Sequence, residues 1–341
     1  MKNISILSID LAKNVFQLHG QNKQGKQVLK KRLRREELGN SVANLSPCLI
    51  AMEACIGAHA WARQFMAMGH QVKLISPQYV KPFVQVNKND QRDAAAIALA
   101  ASLPSIPSVS VKSEEQLDLQ AIHRVRERLV RERVATSNEI RGLLADMGVV
   151  IPTGEAAIKN LLPALLEDAE QPITYRGRLL LADLRSQWLE KEAHVKRYDQ
   201  ILKEYSKDST ECQKLMAVPG LGVINASLLW CYIGDPKRFA SGRHVAASLG
   251  LVPKQASSGE KERLNGISKQ GNKHLRKQLV HGARAAYRVL LKEESTGRLA
   301  DWVKRMKSNG KHPNKIVVAL ANKLARIAWR LLSSSESQYQ S

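Results

Sequence analysis

Asp10, Glu53, Asp90 and Asp93 are the side chains whose type and spacing most directly suggest chemistry. Asp10 closes the apolar run Ile4-Ser-Ile-Leu-Ser-Ile-Asp, and Glu53 closes a second, Cys48-Leu-Ile-Ala-Met-Glu. An acid at the end of a buried strand is costly unless it is hydrogen-bonded, paired or bound to metal. Asp90 and Asp93 stand three apart where an Ala-rich helix begins, so both lie on one helical face. Oxygen ligands of this kind suit Mg2+ or Mn2+, which prefer carboxylate and water to imidazole or thiolate. Taken singly, each acid also reads as an ordinary surface carboxylate, and Asp90 as an N-cap or first-turn acid.

A second constellation lies far along the chain. Ser257 and Ser258 precede Gly259 in a loop surrounded by Lys254, Lys261, Arg263, Lys269, Lys273 and Arg276. A serine hydroxyl is a weak nucleophile until its pKa falls or a base takes its proton. Clustered cations would lower that pKa and stabilise a developing phosphorane. A Ser-Ser-Gly run is also common in flexible surface loops. Gly271 and Asn272 predict a turn and an N-cap leading a helix toward phosphate.

The elements that must position these groups fall into three stretches. Up to about residue 110, strands and helices alternate. A hairpin is expected around the turn Gly20 to Gly25, between Val15-Phe-Gln-Leu-His and Val28-Leu. A helix over Ala58-His-Ala-Trp-Ala-Arg-Gln-Phe-Met, a strand Gln71-Val-Lys-Leu-Ile-Ser and a linker Leu103-Pro-Ser-Ile-Pro-Ser complete a mixed α/β sheet. Two long charged helices follow, from about Ser113 to Asp146 and from Thr174 to Lys207, as an antiparallel hairpin or coiled coil. Beyond about Cys212 the pattern is helical. There Pro219-Gly220-Leu221-Gly222 resembles a helix-hairpin-helix turn, whose backbone N–H groups face phosphate; the alternative is a tight connection between packed helices.

The composition restricts the partners. With 53 Lys and Arg against 31 Asp and Glu, the 341-residue chain carries a formal charge of +22. A polyanion, by default nucleic acid, is the implied partner, and its affinity should fall steeply with salt. Nineteen Lys and Arg against five Asp and Glu lie between Lys254 and Arg330, giving this stretch 14 of the 22 net charges. No apolar run approaches the roughly 20 residues that span a bilayer, which argues against a membrane. The chain opens directly on a strand, so a secretory signal is not expected and a cytoplasmic location is. Cys48, Cys55, Cys212 and Cys231 have no CxxC spacing and read as reduced core thiols, not as zinc ligands. At 5% aromatic residues, base stacking is not expected as the main binding mode.

Six segments together resemble the DEDD-type transposases of bacterial insertion sequences, the group written IS-one-ten, which also contains the Piv and MooV invertases. They are Ser8-Ile-Asp-Leu-Ala-Lys-Asn-Val-Phe, Ala51-Met-Glu-Ala-Cys, Asn89-Asp-Gln-Arg-Asp-Ala, Pro219-Gly-Leu-Gly, Gly250-Leu-Val-Pro-Lys-Gln-Ala-Ser-Ser-Gly and Gly266-Ile-Ser-Lys-Gln-Gly-Asn-Lys-His-Leu-Arg. The resemblance implies an α/β RNase H/RuvC-like DEDD domain over 1–112 and a helical coiled-coil region over 113–208. It implies an all-α transposase domain over 209–341, carrying the helix-hairpin-helix-like motif and the serine loop. On this likeness the four acids bind Mg2+ (or Mn2+), and Ser257 or Ser258 forms a covalent phosphoserine–DNA intermediate. Ser257 is preferred by its distance from Pro253. The implied partners are donor and target DNA, a non-coding bridge RNA that pairs with both, and further copies of the chain. A dimer or tetramer would assemble composite sites in which the acids of one subunit meet the serine of another. Two rival readings need less: a hydrolytic RuvC-like nuclease such as a junction resolvase, which needs only the carboxylates and a metal-activated water, and a non-catalytic nucleic-acid-binding scaffold.

Overall fold

The computed structural model describes residues 3–84, 90–256, 263–334 and 339, with Asp90 and Gln91 as backbone only. Ser257, Ser258 and Lys261 therefore lie outside the described residues, as does the Asp90 side chain. The chain divides into two compact units: one comprises residues 1–114 and 233–240, the other residues 115–232 and 241–341.

The first unit is built on a six-stranded mixed sheet. Its strands are β1 (Ile6–Asp10), β2 (Val15–Gln21), β3 (Gln27–Arg34), β4 (Leu49–Glu53), β5 (Gln71–Ile75) and β6 (Ser108–Val109). They are ordered β3-β2-β1-β4-β5-β6. β1 pairs antiparallel with β2 and parallel with β4, which is itself parallel to β5. The expected hairpin is present, with Gly25 at φ +75° in its turn. Its second strand runs well past Val28-Leu, through Lys30, Lys31 and Arg32, since strand partners override the poor β-propensity of a basic run. Helices α1 (Arg35–Ala43), α2 (Ala58–Ala67), α3 (Pro77–Val80) and α4 (Asp90–Ser102) connect the strands, with a 3-10 turn at Lys81–Phe83 after α3.

Strand alternation divides β1 and β4 between two cores. Leu7, Ile9, Ile50 and Met52 pack with Leu38, Val42, Ala62 and Phe65 of α1 and α2. Ala51 and Ile75 pack on the other face, against Ala96, Ile97, Ala100 and Ala101 of α4. Burial on both faces is why these strands read as continuous apolar runs. The expected Leu103–Ser108 linker gives way to β6, which pairs antiparallel with β5 at Ile75↔Ser108 and Leu74↔Val109. This edge is completed by a sequence-distant segment: the Arg238 guanidinium donates to the Ser108 carbonyl at 3.3 Å.

The second unit begins with α5 (Glu114–Asp146), then a π-helical turn at Ala157–Leu161, α6 (Leu162–Glu167) and α7 (Tyr175–Asp208). Thr174 caps α7 by accepting from the Gly177 amide at 3.1 Å, where the sequence placed its start. Arg126 pairs with Asp199, Arg133 with Glu192, and the Trp188 indole donates to Ser137 at 2.7 Å. Partners descend α7 as they ascend α5, so the two helices run antiparallel. Ile140, Leu144, Leu181, Leu184 and Trp188 share one core with Ile158 and Leu162.

The rest of the unit holds α8 (Thr210–Met216), α9 (Val223–Ile233), a 3-10 turn at Pro236–Arg238 that folds with the first unit, α10 (Gly242–Ser248), α11 (Lys273–Leu290), α12 (Arg298–Ser308) and α13 (Pro313–Leu332). The stretch expected to be all-α also contains a two-stranded hairpin, β7 (Pro253–Gln255) with β8 (Leu264–Ile267). Its exposed residues carry no apolar alternation, so no strand signal is visible in the sequence. Cys48, Cys212 and Cys231 are buried free thiols as expected, whereas Cys55 is only half-buried. Among the described residues no helix is long and apolar enough to cross a membrane.

Candidate active site

The strand ends bring two of the acids side by side. β1 and β4 run in parallel register through Ser8↔Ala51 and Ile9↔Met52, which makes Asp10 and Glu53 the last residues of neighbouring strands. By alternation both lie on the face that carries Ser8 and Ala51, the face covered by α4. Ser8 is fully buried, and its hydroxyl donates to the carbonyl of Ala94 at 2.6 Å. That bond ties the first turn of α4, and with it Asp93, to the strand ending in Asp10.

The electrostatics agree with this proximity. Burial, and then the charge of Asp93, push the Glu53 carboxyl above its ordinary range. Cys55 is raised by burial and then by the charges of Glu53 and Asp10. Like charges held together disfavour their own ionised forms, and a hard cation relieves that repulsion. All-carboxylate donors fit Mg2+ or Mn2+ by chemistry. Among the described residues, however, no group of three or more His, Cys, Asp and Glu closes up into a metal cage. The Glu53–Asp93 repulsion carries the fit. Beside the first turn of α4 a hollow of about 130 Å3 is lined by His19, Lys30 and Arg92, none of which a sequence motif singles out.

In the second unit, β7 and β8 flank residues 257–262, which include the paired serines. The base of this hairpin is fixed by backbone contacts. Ser268 donates to the Val252 carbonyl at 2.8 Å, and Lys269 to that of Gly250 at 3.1 Å. Gly250 and Gly271 both have positive φ, and added Cβ atoms would stand 2.4 Å from the Gln270 nitrogen and 1.9 Å from the Ser248 oxygen. Only glycine permits this approach. Asn272 caps α11, accepting from the Leu275 amide at 3.0 Å, in agreement with the sequence.

The cations around the loop divide. Lys254, Arg263, Lys269 and Lys273 are exposed. Lys269 holds φ +57°, the one left-handed non-glycine among the described residues. Arg276 instead clamps the fold, donating to the carbonyls of Leu249 at 2.9 Å and Gln270 at 2.6 Å.

The Pro219–Gly222 turn joins α8 to α9. Gly220 has φ +93°, and a Cβ there would lie 2.8 Å from the Gly282 carbonyl of α11. Its own carbonyl accepts from Asn225 Nδ2 at 3.0 Å. Gly220 thus serves close helix packing, and Gly222 stays exposed with open space around it.

Two family models match the chain. A transposase model, for DEDD enzymes of IS110 elements, covers residues 7–148 and so spans all four acids. The model for the IS116/IS110/IS902 transposase family covers residues 212–298, spanning the Pro-Gly-Leu-Gly turn and the serine hairpin. The transposase for insertion sequence element IS1328 of Yersinia enterocolitica is 44% identical over 96% of this chain and 97% of its own length. That for IS1111A of Coxiella burnetii is 42% identical over 99% and 92%. The pilin gene-inverting protein of Moraxella lacunata is 22% identical over 77% and 73%. Similarity of this degree along almost the whole length shows that the chain belongs to the IS116/IS110/IS902 family of transposases.

Proposed function

We propose that this chain is the transposase of a bacterial insertion sequence and cuts DNA with a metal-dependent carboxylate site and a serine nucleophile. The observation that carries this reading is the meeting of Asp10 and Glu53 at adjacent parallel strand ends, with Asp93 close enough to raise the Glu53 carboxyl. A DEDD transposase domain implies divalent metal. Asp10, Glu53, Asp90 and Asp93 would hold Mg2+ or Mn2+, which when bound supplies charge neutralisation at the scissile phosphate. The mixed sheet covered by helices on both faces supports an RNase H/RuvC-like domain.

Ser257 or Ser258 attacks phosphorus. The new Oγ–P bond forms as the P–O bond of the DNA strand breaks, a deoxyribose hydroxyl leaves, and a phosphoserine remains. Lys254, Lys261, Arg263, Lys269 and Lys273 supply positive charge for the pentavalent transition state, and Arg276 keeps the hairpin base in place. Reversal of the step onto a second strand gives exchange without net hydrolysis. Gly222, exposed in the turn that Gly220 packs against α11, would hold backbone phosphate.

Sequence choice falls to a bridge RNA that pairs with donor and target DNA, while the protein grips backbone and shape. A dimer or tetramer completes each site by joining the acids of one subunit to the serine of another. The net charge of +22 supports a partner made of nucleic acid.

Trapping the protein on nicked DNA tests the serine chemistry. An adduct that maps to Ser257 or Ser258 and disappears in the Ser257→Ala/Ser258→Ala variant is expected. Cleavage that persists in that variant without an adduct would replace this mechanism with metal-activated water.

A further inference from the structure

The second unit carries another concave surface, which none of the sequence motifs touches and which lies mostly beyond the matched residues 212–298. A cleft of about 500 Å3 opens between α10 and α13, lined by Ser241, Arg243, Lys323, Arg326, Trp329 and Arg330. Its volume falls in the range of about 300–1,000 Å3 typical of small-ligand sites. Lys323, Arg326 and Arg330 recur at spacings of three and four, so they share one face of α13. The opposite face buries Leu320, Leu324, Ala328 and Leu331 in the helical core. The floor is closed by backbone, because a Cβ on Gly242 would stand 3.0 Å from the Cα and carbonyl oxygen of Arg326.

The charges here are gathered without acids. Among the described residues none of Arg243, Lys323, Arg326 and Arg330 has a carboxylate within ion-pair distance, unlike Arg126, Arg128 and Arg133 elsewhere in the same unit. Burial, then Arg326 and Arg305, push the Lys323 ammonium below its ordinary range. Its Nζ is held 4.8 Å from the ring centre of Trp302, a cation–π contact that orients it. Mutually repelling cations in a fixed concavity favour a bound anion. Trp329 and Ile327 add apolar wall to the same cleft. A cationic rim over an aromatic wall matches one nucleotide, its phosphate on the guanidinium groups and its base on the indole.

We propose that the α10–α13 cleft binds a single unstacked nucleotide of a single-stranded nucleic acid, with Arg326 and Arg330 on the phosphate and Trp329 against the base. This shares with the proposed function only the premise that the chain binds nucleic acid; it uses neither the four acids nor the serines. Ribose and deoxyribose strands offer the same phosphate and base, so both are used as probes.

The test is binding of the full chain to short single-stranded oligoribonucleotides and oligodeoxyribonucleotides bearing one 5-iodouracil, without added metal and hence without cleavage. Irradiation should crosslink the probe to α13 at or beside Trp329. Trp329→Ala should weaken binding by about 5- to 150-fold, the range for loss of one base–aromatic stack, and Trp329→Phe should recover most of it. Arg326→Ala/Arg330→Ala, at exposed positions, should lower the slope of log affinity against log salt by about 1, as for one phosphate lost. Tighter binding of the RNA or of the DNA probe identifies the natural source. Unchanged affinity and slope in the arginine variant, a crosslink confined to other elements, or equal competition by duplex would overturn the proposal.

Discussion

Gly271→Ala separates two physical effects at the base of the serine hairpin. The first is conformational: Gly271 has φ +73°, and a left-handed residue with a Cβ costs about 1–2 kcal/mol. The second is steric: the added Cβ would stand 1.9 Å from the Ser248 carbonyl oxygen, which is backbone and has no rotamer to change. Relief requires moving the Gly250 turn away from the turn at residues 269–271, and overpacking of this kind costs about 1–3 kcal/mol. The sum is about 2–5 kcal/mol. Gly310→Ala is the control within the same unit, since Gly310 has φ +68° and open space around it. It should lose only the conformational part. Urea unfolding of both variants, followed by a probe in the helical unit, measures the difference, which should be about 1–3 kcal/mol. Strand cleavage should fall further in Gly271→Ala than in Gly310→Ala, because only the former displaces β7 and β8. Equal destabilisation by the two substitutions would refute the reasoning.

Three further outcomes follow from the geometry. Because the Glu53 carboxyl is raised in the folded state, its unfolded form ionises first as pH climbs past about 4.5, and stability is lost as pH rises through the folded value. Glu53→Gln removes that loss, so at pH 7 its melting temperature should exceed that of the parent while DNA cleavage disappears; a less stable variant would contradict the electrostatic account. His123 is buried, its Nε2 2.9 Å from the Ser227 hydroxyl, and desolvation followed by His274 and Arg126 holds its pKa down at about 3. The unfolded imidazole takes a proton first, so stability falls as pH drops from about 6.5 toward 3; His123→Gln should flatten that part of the acid melting curve. Ser8→Ala deletes the buried bond to Ala94, at about 1 kcal/mol of stability, but a misplaced Asp93 should lower the cleavage rate by up to about 100-fold, a split visible by comparing melting with turnover.

Local patterns in the sequence carried much of this fold. Asp10 and Glu53 end apolar runs that are strands in the structure, because runs buried on both faces advertise themselves by composition. The bounds expected for the two long helices, Ser113 to Asp146 and Thr174 to Lys207, lie within a residue of α5 and α7, since a cap such as Thr174 acts within a few residues. What stayed hidden depends on partners far away in the chain. β6 is two residues long and exists only through its pairing with β5. β7 and β8 are short, almost wholly exposed and without apolar alternation, and their base is held by the close approach of Gly250 and Gly271. In sequence Lys323, Arg326 and Arg330 are only part of the basic stretch from Lys254 to Arg330, and they line a cleft because α10 packs beside α13. Gly220 shows the same limit: its pattern suggests a phosphate turn, yet its contact with Gly282 is helix packing.

In the proposed function, the carboxylates at the ends of β1 and β4, with those of the first turn of α4, cut DNA with a divalent metal. The direct measurement is Mg2+-dependent strand cleavage by the parent protein and by Asp10→Asn, Glu53→Gln, Asp90→Asn and Asp93→Asn, with DNA binding measured on the same preparations. Near-complete loss of cleavage in each variant at retained binding is the predicted result. Cleavage that persists in Asp10→Asn, or that proceeds undiminished in the presence of a chelator, would contradict it.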